Sequence, residues 1–234
     1  MSYSDLQQQP IIMFDMDGTL LDLAFDDYIW NHCLPEQYAQ IHQCSFEQSQ
    51  AYLFQFYQQH KHTLSWYSSA FWTAKVGVDV LQLQVDQRDK IQPRSGCHEL
   101  LAQLKAQGYR CWLLTNADCA GLALKLETIE LRPYFEVIIS SEELGHAKED
   151  AAFWQTLQQR HPFEPQQAVF VDDNLAVLDS AQRFGITHLL SILQPTTAKA
   201  ARLPSELPYP ALNQLTELLD YLARDTQVSD VKTE

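Results

Sequence analysis

Four short apolar runs, separated by stretches with helical spacing, constrain the fold of this chain more than any other feature. The runs cover residues 11–14, 111–114, 137–139 and 168–171, and a weaker fifth run covers residues 188–192. Continuous apolar runs of this length are typical of strands that are covered on both faces. Between the runs, apolar residues recur at helical spacing. These residues are Cys97, Leu100, Leu101 and Leu104, then Leu122, Leu126 and Ile129, then Val177, Ala181 and Phe184.

Alternation of strands and helices predicts an α/β fold with a parallel sheet and right-handed crossovers. Gly108 and Gly185 fall where two of the helices are expected to end. A parallel sheet of this kind holds its chemistry beyond the carboxyl ends of its strands. The polar residues that follow the apolar runs are therefore the candidate site.

Residues 23–92 break this rhythm, because they are rich in aromatic residues and Gln and contain no convincing strand. Helical spacing recurs there at Tyr67, Ala70, Phe71 and Ala74. The segment is predicted to be a helical insertion, with helix ends at Pro35 and Gly77 and an exit at Pro93.

The C-terminal part is predicted to contain a Pro-rich loop at residues 195–210 and one short helix at residues 211–222. The predicted organisation is a core domain of residues 1–22 and 93–225, an inserted helical domain of residues 23–92, and a tail of residues 226–234.

The charge of the chain limits its partners. Lys and Arg number 16 against 30 Asp and Glu, which gives a formal net charge of −14. Such a charge repels nucleic-acid backbones and anionic membranes, so we expect neither polymeric nucleic acid nor a membrane as a partner. A phosphorylated metabolite meets the same repulsion. A site for one must therefore supply positive charge locally, through a metal ion or a positioned Lys.

The cysteines and the N-terminal residues indicate the cellular compartment to expect. The five cysteines are scattered and lack the spacing of metal ligands, so they are interpreted as reduced thiols. The first ten residues have neither a basic start nor an apolar stretch, and no segment approaches the roughly 18 apolar residues that span a bilayer. We expect a cytoplasmic protein.

The first apolar run ends in Asp15-Met16-Asp17-Gly18-Thr19. Residues two apart on an extended chain point the same way, so the side chains of Asp15 and Asp17 can converge on one reacting centre. One carboxylate can then attack phosphorus while the other donates and accepts a proton. A calcium-binding loop is the alternative interpretation, but it requires Gly where Leu20 stands.

Three other runs end in polar residues of complementary types. Thr115 and Asn116 combine a hydroxyl with backbone amides at a helix start, which suits phosphate oxygens. Lys148 follows the third run and supplies a cation. Asp172 and Asp173 follow the fourth and offer the oxygen ligands that a hard cation needs.

Together these strand ends resemble the four motifs of the haloacid dehalogenase superfamily of phosphatases, from residue 11 to about residue 192. The resemblance implies a Rossmann-like core with an inserted helical cap. It also implies that Asp15 is the nucleophile, Asp17 the general acid and base, and Lys148 the residue that steadies the charge. Thr115 and the Asn116 amide would bind the phosphoryl group.

The cofactor that the resemblance implies is Mg2+. Its ligands would be Asp15, the backbone carbonyl of Asp17, Asp173 and, directly or through water, Asp172. The chain departs from the family pattern at two positions. Glu149 stands where many relatives have Pro, and Val177 stands where an acidic residue is often found.

Within the family, residues 20–30, residues 62–67 and the Lys148-Glu149-Asp150 string resemble the branch that dephosphorylates GMP and IMP. The expected substrate is thus a small phosphorylated metabolite, a purine mononucleotide, whose base could stack on aromatic rings. Candidate specificity residues are Trp30, His62, Trp66 and Tyr67.

Several other functions remain open at this stage. A sugar-phosphate phosphatase or phosphomutase uses the same core, and a phosphonate hydrolase would need a Lys such as Lys61 or Lys75 in the insertion. A halide-releasing dehalogenase needs neither Asp17 nor the Asp172-Asp173 pair. A non-catalytic binding module would not need the full set of catalytic residues.

Overall fold

The computed structural model describes residues 10–230 and contains a sheet of six strands. The strands are β1 (Ile11–Phe14), β2 (Arg110–Thr115), β3 (Val137–Ser140), β4 (Val169–Val171), β5 (His188–Ile192) and β6 (Ala211–Leu212). They lie in the order β3-β2-β1-β4-β5-β6, and every neighbouring pair is parallel. The predicted α/β fold with a parallel sheet is confirmed.

Both faces of the sheet are covered, which explains why its strands are continuously apolar. In β1, Ile12 and Phe14 pack into one core cluster, whereas Ile11 and Met13 pack into another on the opposite face. All four side chains are buried. This placement fixes β1 at the centre of the molecule, between β2 and β4.

Eleven α-helices complete the part of the chain that the structure describes. In the insertion they are α1 (Ala24–Tyr28), α2 (Leu34–His42), α3 (Phe46–His60), α4 (Ser69–Val76) and α5 (Val80–Asp86). In the rest of the chain they are α6 (Cys97–Ala106), α7 (Cys119–Thr128), α8 (Ser141–Leu144), α9 (Ala151–Arg160), α10 (Leu175–Phe184) and α11 (Glu217–Asp230). No helix within residues 10–230 is long and apolar enough to cross a membrane.

The insertion between β1 and β2 contains its own buried cluster. Leu53, Trp72 and Val80 are fully buried there, and Tyr57 packs with them. Ser45 caps α3 through a reciprocal pair of hydrogen bonds with Gln48. A segment with its own apolar cluster can cover the sheet as a unit.

Three details differ from the sequence-based predictions. Pro35 does not interrupt the chain's helical path, because α1 continues through a π-helical turn (Ile29–Cys33) into α2. The Pro35 nitrogen has no hydrogen to donate, and the wider π-helical turn before it accommodates this. Tyr67 lies in a 3-10 turn before α4 rather than within it.

The third difference concerns the C-terminal helix, predicted at residues 211–222. Residues 211 and 212 instead form β6, since they pair with Ser191 and Ile192. The helix starts at Glu217 and runs to Asp230, so it extends into the predicted tail, whose last residues, 231–234, lie outside the described residues.

Candidate active site

One cavity of about 600 Å3 lies where the carboxyl ends of the strands face the insertion. Nearly all residues predicted for the site line it. These are Asp15, Asp17, Trp30, Trp66, Tyr67, Thr115, Asn116, Lys148, Asp172 and Asp173. His62 does not contribute to the described cavity wall; its side chain is 45% exposed, and it contacts Glu149 at the rim. The four strand ends therefore do meet.

Lys148 lies at the centre of the site and is fully buried. Its Nζ donates to Asp15 Oδ1 at 2.5 Å, to Asp172 Oδ2 at 2.7 Å and to the carbonyl of Leu114 at 3.0 Å. An ammonium group has three hydrogens, so these bonds use its full donor capacity. Burial alone lowers the pKa of Lys148, but the attraction of Asp15 and Asp172 outweighs it and raises that pKa.

Three carboxylates form an oxygen cluster beside Lys148. One oxygen from each of Asp15, Asp172 and Asp173 lies within 4.8 Å of the others. Burial and the neighbouring carboxylates raise the pKa of Asp15 despite Lys148. Burial, followed by the charge of Asp172, raises the pKa of Asp173 to about 7. The cluster holds more negative charge than one ammonium can neutralise.

The donor set fits a hard divalent cation. Asp15 Oδ2 is buried and has no hydrogen-bond partner among residues 10–230. Both oxygens of Asp172 are already engaged, Oδ2 with Lys148 and Oδ1 with the backbone N–H of Asn174 at 2.8 Å. Oxygen-only donors suit Mg2+. Asp15 and Asp173 are thus better placed to bind it than Asp172.

Gly18 sets the spacing between the ends of β1 and β4. Its φ of +88° lies in the left-handed region, and a Cβ there would lie 2.7 to 2.9 Å from the carboxylate atoms of Asp173. The Asp15 N–H also donates to the Val171 carbonyl at 2.9 Å. A glycine is therefore required for the two acidic motifs to approach each other.

Asp17 contacts a cation that the sequence analysis missed. Lys125 Nζ lies 2.7 Å from Asp17 Oδ1 and 2.9 Å from Asp26 Oδ1, and its side chain is only 3% exposed. The two carboxylates outweigh the effect of burial and raise the pKa of Lys125. Burial raises the pKa of Asp26 to about 6, although Lys125 opposes this shift. Lys125 lies between Leu122 and Leu126 on the apolar face of α7. A charged residue among buried apolar ones was therefore the feature of the sequence that could have identified it.

The turn after β2 is held by its own side chains. Thr115 Oγ1 accepts from the Ala117 N–H at 3.0 Å, and Asn116 Oδ1 accepts from the Lys148 N–H at 2.9 Å. Thr115 and Asn116 are both buried. The turn therefore fixes the backbone of Lys148 as well as facing the cavity.

Glu149, where the family pattern has Pro, joins the insertion to the rest of the chain. Its carboxylate accepts from Tyr67 Oη at 2.5 Å and from Asn116 Nδ2 at 3.0 Å, while Asn174 Nδ2 and His62 Nδ1 lie 3.4 Å away. Only 9% of the Glu149 side chain is exposed. A Pro at this position could accept none of these bonds.

Aromatic rings of the insertion form the opposite wall of the cavity. Trp30, Tyr57, Trp66 and Trp72 meet edge to face, with ring centroids 5.2 to 6.1 Å apart. Trp72 Nε1 donates to the Trp66 carbonyl at 2.8 Å. The wall is thus held in place by the insertion's own contacts. Tyr57 was not predicted.

Arg202 also lines the cavity. Its role was not predicted, because it lies in the Pro-rich loop, where no local pattern marks a site residue. Its Nη1 donates to the Asp173 carbonyl at 2.7 Å, and its Nη2 lies 3.7 Å from Asp173 Oδ2. Arg202 therefore positions Asp173 and adds positive charge to the site.

Comparison with known proteins agrees with this geometry. The family model of the haloacid dehalogenase-like hydrolases matches residues 12–190. A GMP/IMP nucleotidase of Escherichia coli (strain K12) is 32% identical over 216 residues, which is 92% of this chain and 96% of that protein. The match therefore spans both the sheet and the insertion.

Solved structures share the fold at lower sequence identity. A phosphatase of the family from Thermococcus onnurineus has a TM-score of 0.77 and 21% identity, covering 92% of this chain and 98% of that one. A hydrolase of the family from Bacillus subtilis, bound to magnesium, has a TM-score of 0.64 and 20% identity, covering 92% and 99%.

Proposed function

The chain belongs to the haloacid dehalogenase-like hydrolases, and from this premise we propose that it is a Mg2+-dependent phosphatase of purine nucleoside monophosphates, GMP and IMP. The observation that carries the chemistry is the contact of Lys148 Nζ with both Asp15 and Asp172 inside one cavity. The similarity to a GMP/IMP nucleotidase over 92% of the chain supports the substrate.

In the proposed reaction a carboxylate oxygen of Asp15 attacks phosphorus as the bond from phosphorus to the nucleoside oxygen breaks. Asp17 donates its proton to that leaving oxygen. Water then attacks the phosphorus of the aspartyl phosphate while Asp17 takes a proton from it. Inorganic phosphate leaves and the Asp15 carboxylate is restored.

Charge neutralisation falls to the groups around Asp15. Lys148 offsets the negative charge of the nucleophile, and the turn at Thr115 and Asn116 offers its hydroxyl and backbone amides to the phosphoryl oxygens. Asp15, Asp173, the Asp17 carbonyl and, through water, Asp172 would hold Mg2+. When bound, the ion supplies the positive charge that draws a phosphate dianion into an acidic site.

We also propose that the insertion, residues 23–92, is a cap over a core of residues 1–22 and 93–225. Its aromatic wall faces the strand ends across the cavity. Trp30 and Trp66 would contact the base, and Tyr67 and His62 would hold the cap through Glu149. A closed cap excludes bulk water from the aspartyl phosphate until the leaving group departs.

The test is a phosphate-release assay with Mg2+ on GMP, IMP, AMP, pyrimidine monophosphates and sugar phosphates. GMP and IMP should give the highest kcat/KM, EDTA should abolish turnover, and Asp15→Asn should be inactive while keeping its fold by circular dichroism. Equal rates on all esters would reduce the proposal to a general phosphatase. Full activity of Asp15→Asn would refute the mechanism.

A further inference from the structure

We propose that Gln84 binds the Watson–Crick edge of the purine base and is a specificity-determining residue of this site. The inference rests on the proposed function, because it assigns a role in binding a nucleotide. Gln84 lies on α5 and lines the same cavity as Asp15 and Lys148.

The side chain of Gln84 is buried without the bonds that burial requires. It is 6% exposed, and its Oε1 has no hydrogen-bond partner within residues 10–230. Buried amides in folded proteins are nearly always paired, because an unpaired one loses its bonds to water. An unpaired amide in a cavity wall indicates a partner that enters the cavity.

Gln84 packs against α7, the helix that also carries Lys125. A Cβ at Gly121 would lie 3.4 Å from Gln84 Oε1, so the Gln84 amide oxygen packs closely against α7 at Gly121. Gly121 and Lys125 are four residues apart on α7, which places them about 6 Å apart along the helix axis. Lys125 contacts Asp17. Gln84 and Asp17 therefore both contact side-chain or backbone positions of α7, Gln84 at Gly121 and Asp17 at Lys125.

The chemistry of a 6-oxopurine matches a carboxamide. Its N1–H donates and its 6-oxygen accepts, side by side, and a carboxamide offers one acceptor and two donors in the same plane. The N1–H would donate to Oε1 while Nε2 donates to the 6-oxygen. A sugar phosphate offers no such planar edge, so it would leave the Gln84 amide unpaired. Trp30 and Trp66 line the same cavity and offer apolar surface to the faces of the ring.

The experiment is a cycle of two enzymes and two substrates. Wild type and Gln84→Met are each assayed with IMP and with purine riboside 5′-monophosphate, which lacks the 6-oxygen and the N1 hydrogen. Either change alone should lower kcat/KM about tenfold to 100-fold, since each leaves a polar partner unpaired. Gln84→Met acting on purine riboside 5′-monophosphate should have a kcat/KM no lower than either change gives alone, because one change already removes the interaction between the amide and the base.

Two controls separate base binding from damage to the site. Gln82→Met makes the same substitution on the exposed side of α5 and should leave kcat/KM for IMP unchanged. Ribose 5-phosphate has no base, so wild type and Gln84→Met should hydrolyse it equally. The thermal midpoint of Gln84→Met should equal or exceed that of wild type, because the change removes a buried unpaired acceptor.

The outcomes distinguish this inference from the proposed function. If wild type prefers IMP to ribose 5-phosphate but Gln84→Met loses the same factor on both, or loses nothing, Gln84 does not bind the base and the nucleotidase assignment stands. If wild type shows no preference for IMP, the nucleotidase assignment fails and the role of Gln84 fails with it.

Discussion

The hydroxyl of Tyr67 donates a 2.5 Å hydrogen bond to the carboxylate of Glu149, the residue that follows Lys148 in the chain. Tyr67 belongs to the insertion, whereas Glu149 follows β3. The same carboxylate accepts from Asn116, whose Oδ1 in turn accepts from the Lys148 N–H. The position of the insertion is therefore linked through Glu149 and Asn116 to the backbone of Lys148.

Tyr67→Phe tests this link. The change removes one donor from a carboxylate that is mostly buried, so the insertion should be held less firmly over the cavity. We expect kcat/KM for GMP to fall about tenfold, in line with the loss of one hydrogen bond to a charged group. Steady-state kinetics would measure it. Tyr52→Phe, on an exposed tyrosine of the insertion, is the matched control and should have no effect.

Lys125→Met tests the cation between Asp17 and Asp26. Its loss leaves two partly buried carboxylates close to each other without a counter-charge. Removing one partner of a fully buried ion pair destabilises a protein by about 3 to 5 kcal/mol, and since these carboxylates are partly exposed, urea denaturation should show a smaller loss than that. Adding Asp26→Asn should recover part of the stability. A double variant as unstable as Lys125→Met would mean that repulsion between the carboxylates is not the cause.

The raised pKa of Asp173 predicts how the stability of the folded protein depends on pH. Its pKa is about 7 in the folded protein against an ordinary value of 3.8, so the folded state binds the proton more tightly than the unfolded state does. Above pH 7 the ionised Asp173 side chain therefore destabilises the metal-free folded protein, and this destabilisation disappears as the pH falls towards 4.

The measurement is the difference in thermal midpoint between Asp173→Asn and wild type in EDTA. Asp173→Asn should be the more stable protein at pH 8, by several degrees, and the difference should shrink at pH 5. Addition of Mg2+ at pH 8 should raise the midpoint of wild type only. A difference that is equal at both pH values would contradict the raised pKa of Asp173.

Gly18→Ala should disable the cation site without changing a ligand. The added Cβ would overlap the Asp173 carboxylate at 2.7 to 2.9 Å, so that side chain must move away from Asp15. We expect affinity for Mg2+ to fall at least about tenfold in isothermal titration calorimetry, a loss of about 1.4 kcal/mol. Gly77→Ala is the control, since its φ is also positive and a Cβ there meets nothing within 4 Å. If Gly18→Ala and Gly77→Ala lowered the affinity for Mg2+ equally, backbone strain alone would explain the loss.

Much of the sheet was predictable because covered strands are marked by local composition. β1 and β5 begin and end where the apolar runs do, β3 and β4 differ from their runs by one residue at one end, and β2 is longer than its run by one residue at each end. The acidic strand ends could be placed together because parallel strands end on one edge. β6 escaped prediction, since two residues at the edge of a sheet have no periodic pattern.

The contacts across the cavity were not predictable in the same way. Lys125 and Arg202 contact partners that are distant in the chain, and nothing in their local sequence names those partners. Gln84 reaches the cavity only through the packing of α5. Glu149 was recognised only as a departure from the family pattern and as part of the string that resembles the GMP and IMP branch. Its role depends on Tyr67, 82 positions away in the chain, and that contact becomes visible only once the insertion is folded over the strand ends.

The central position of β1 has a consequence for synthesis. β1 is the first strand to be made, yet its partner on one side, β4, begins at residue 169. Until that segment has left the ribosome, one edge of β1 has no strand to bond with, and closing so long a loop is slow. Assembly of the reacting centre is thus a late event in the life of each new molecule. A chain that stops before β4 would be catalytically silent and prone to aggregate through its open edge.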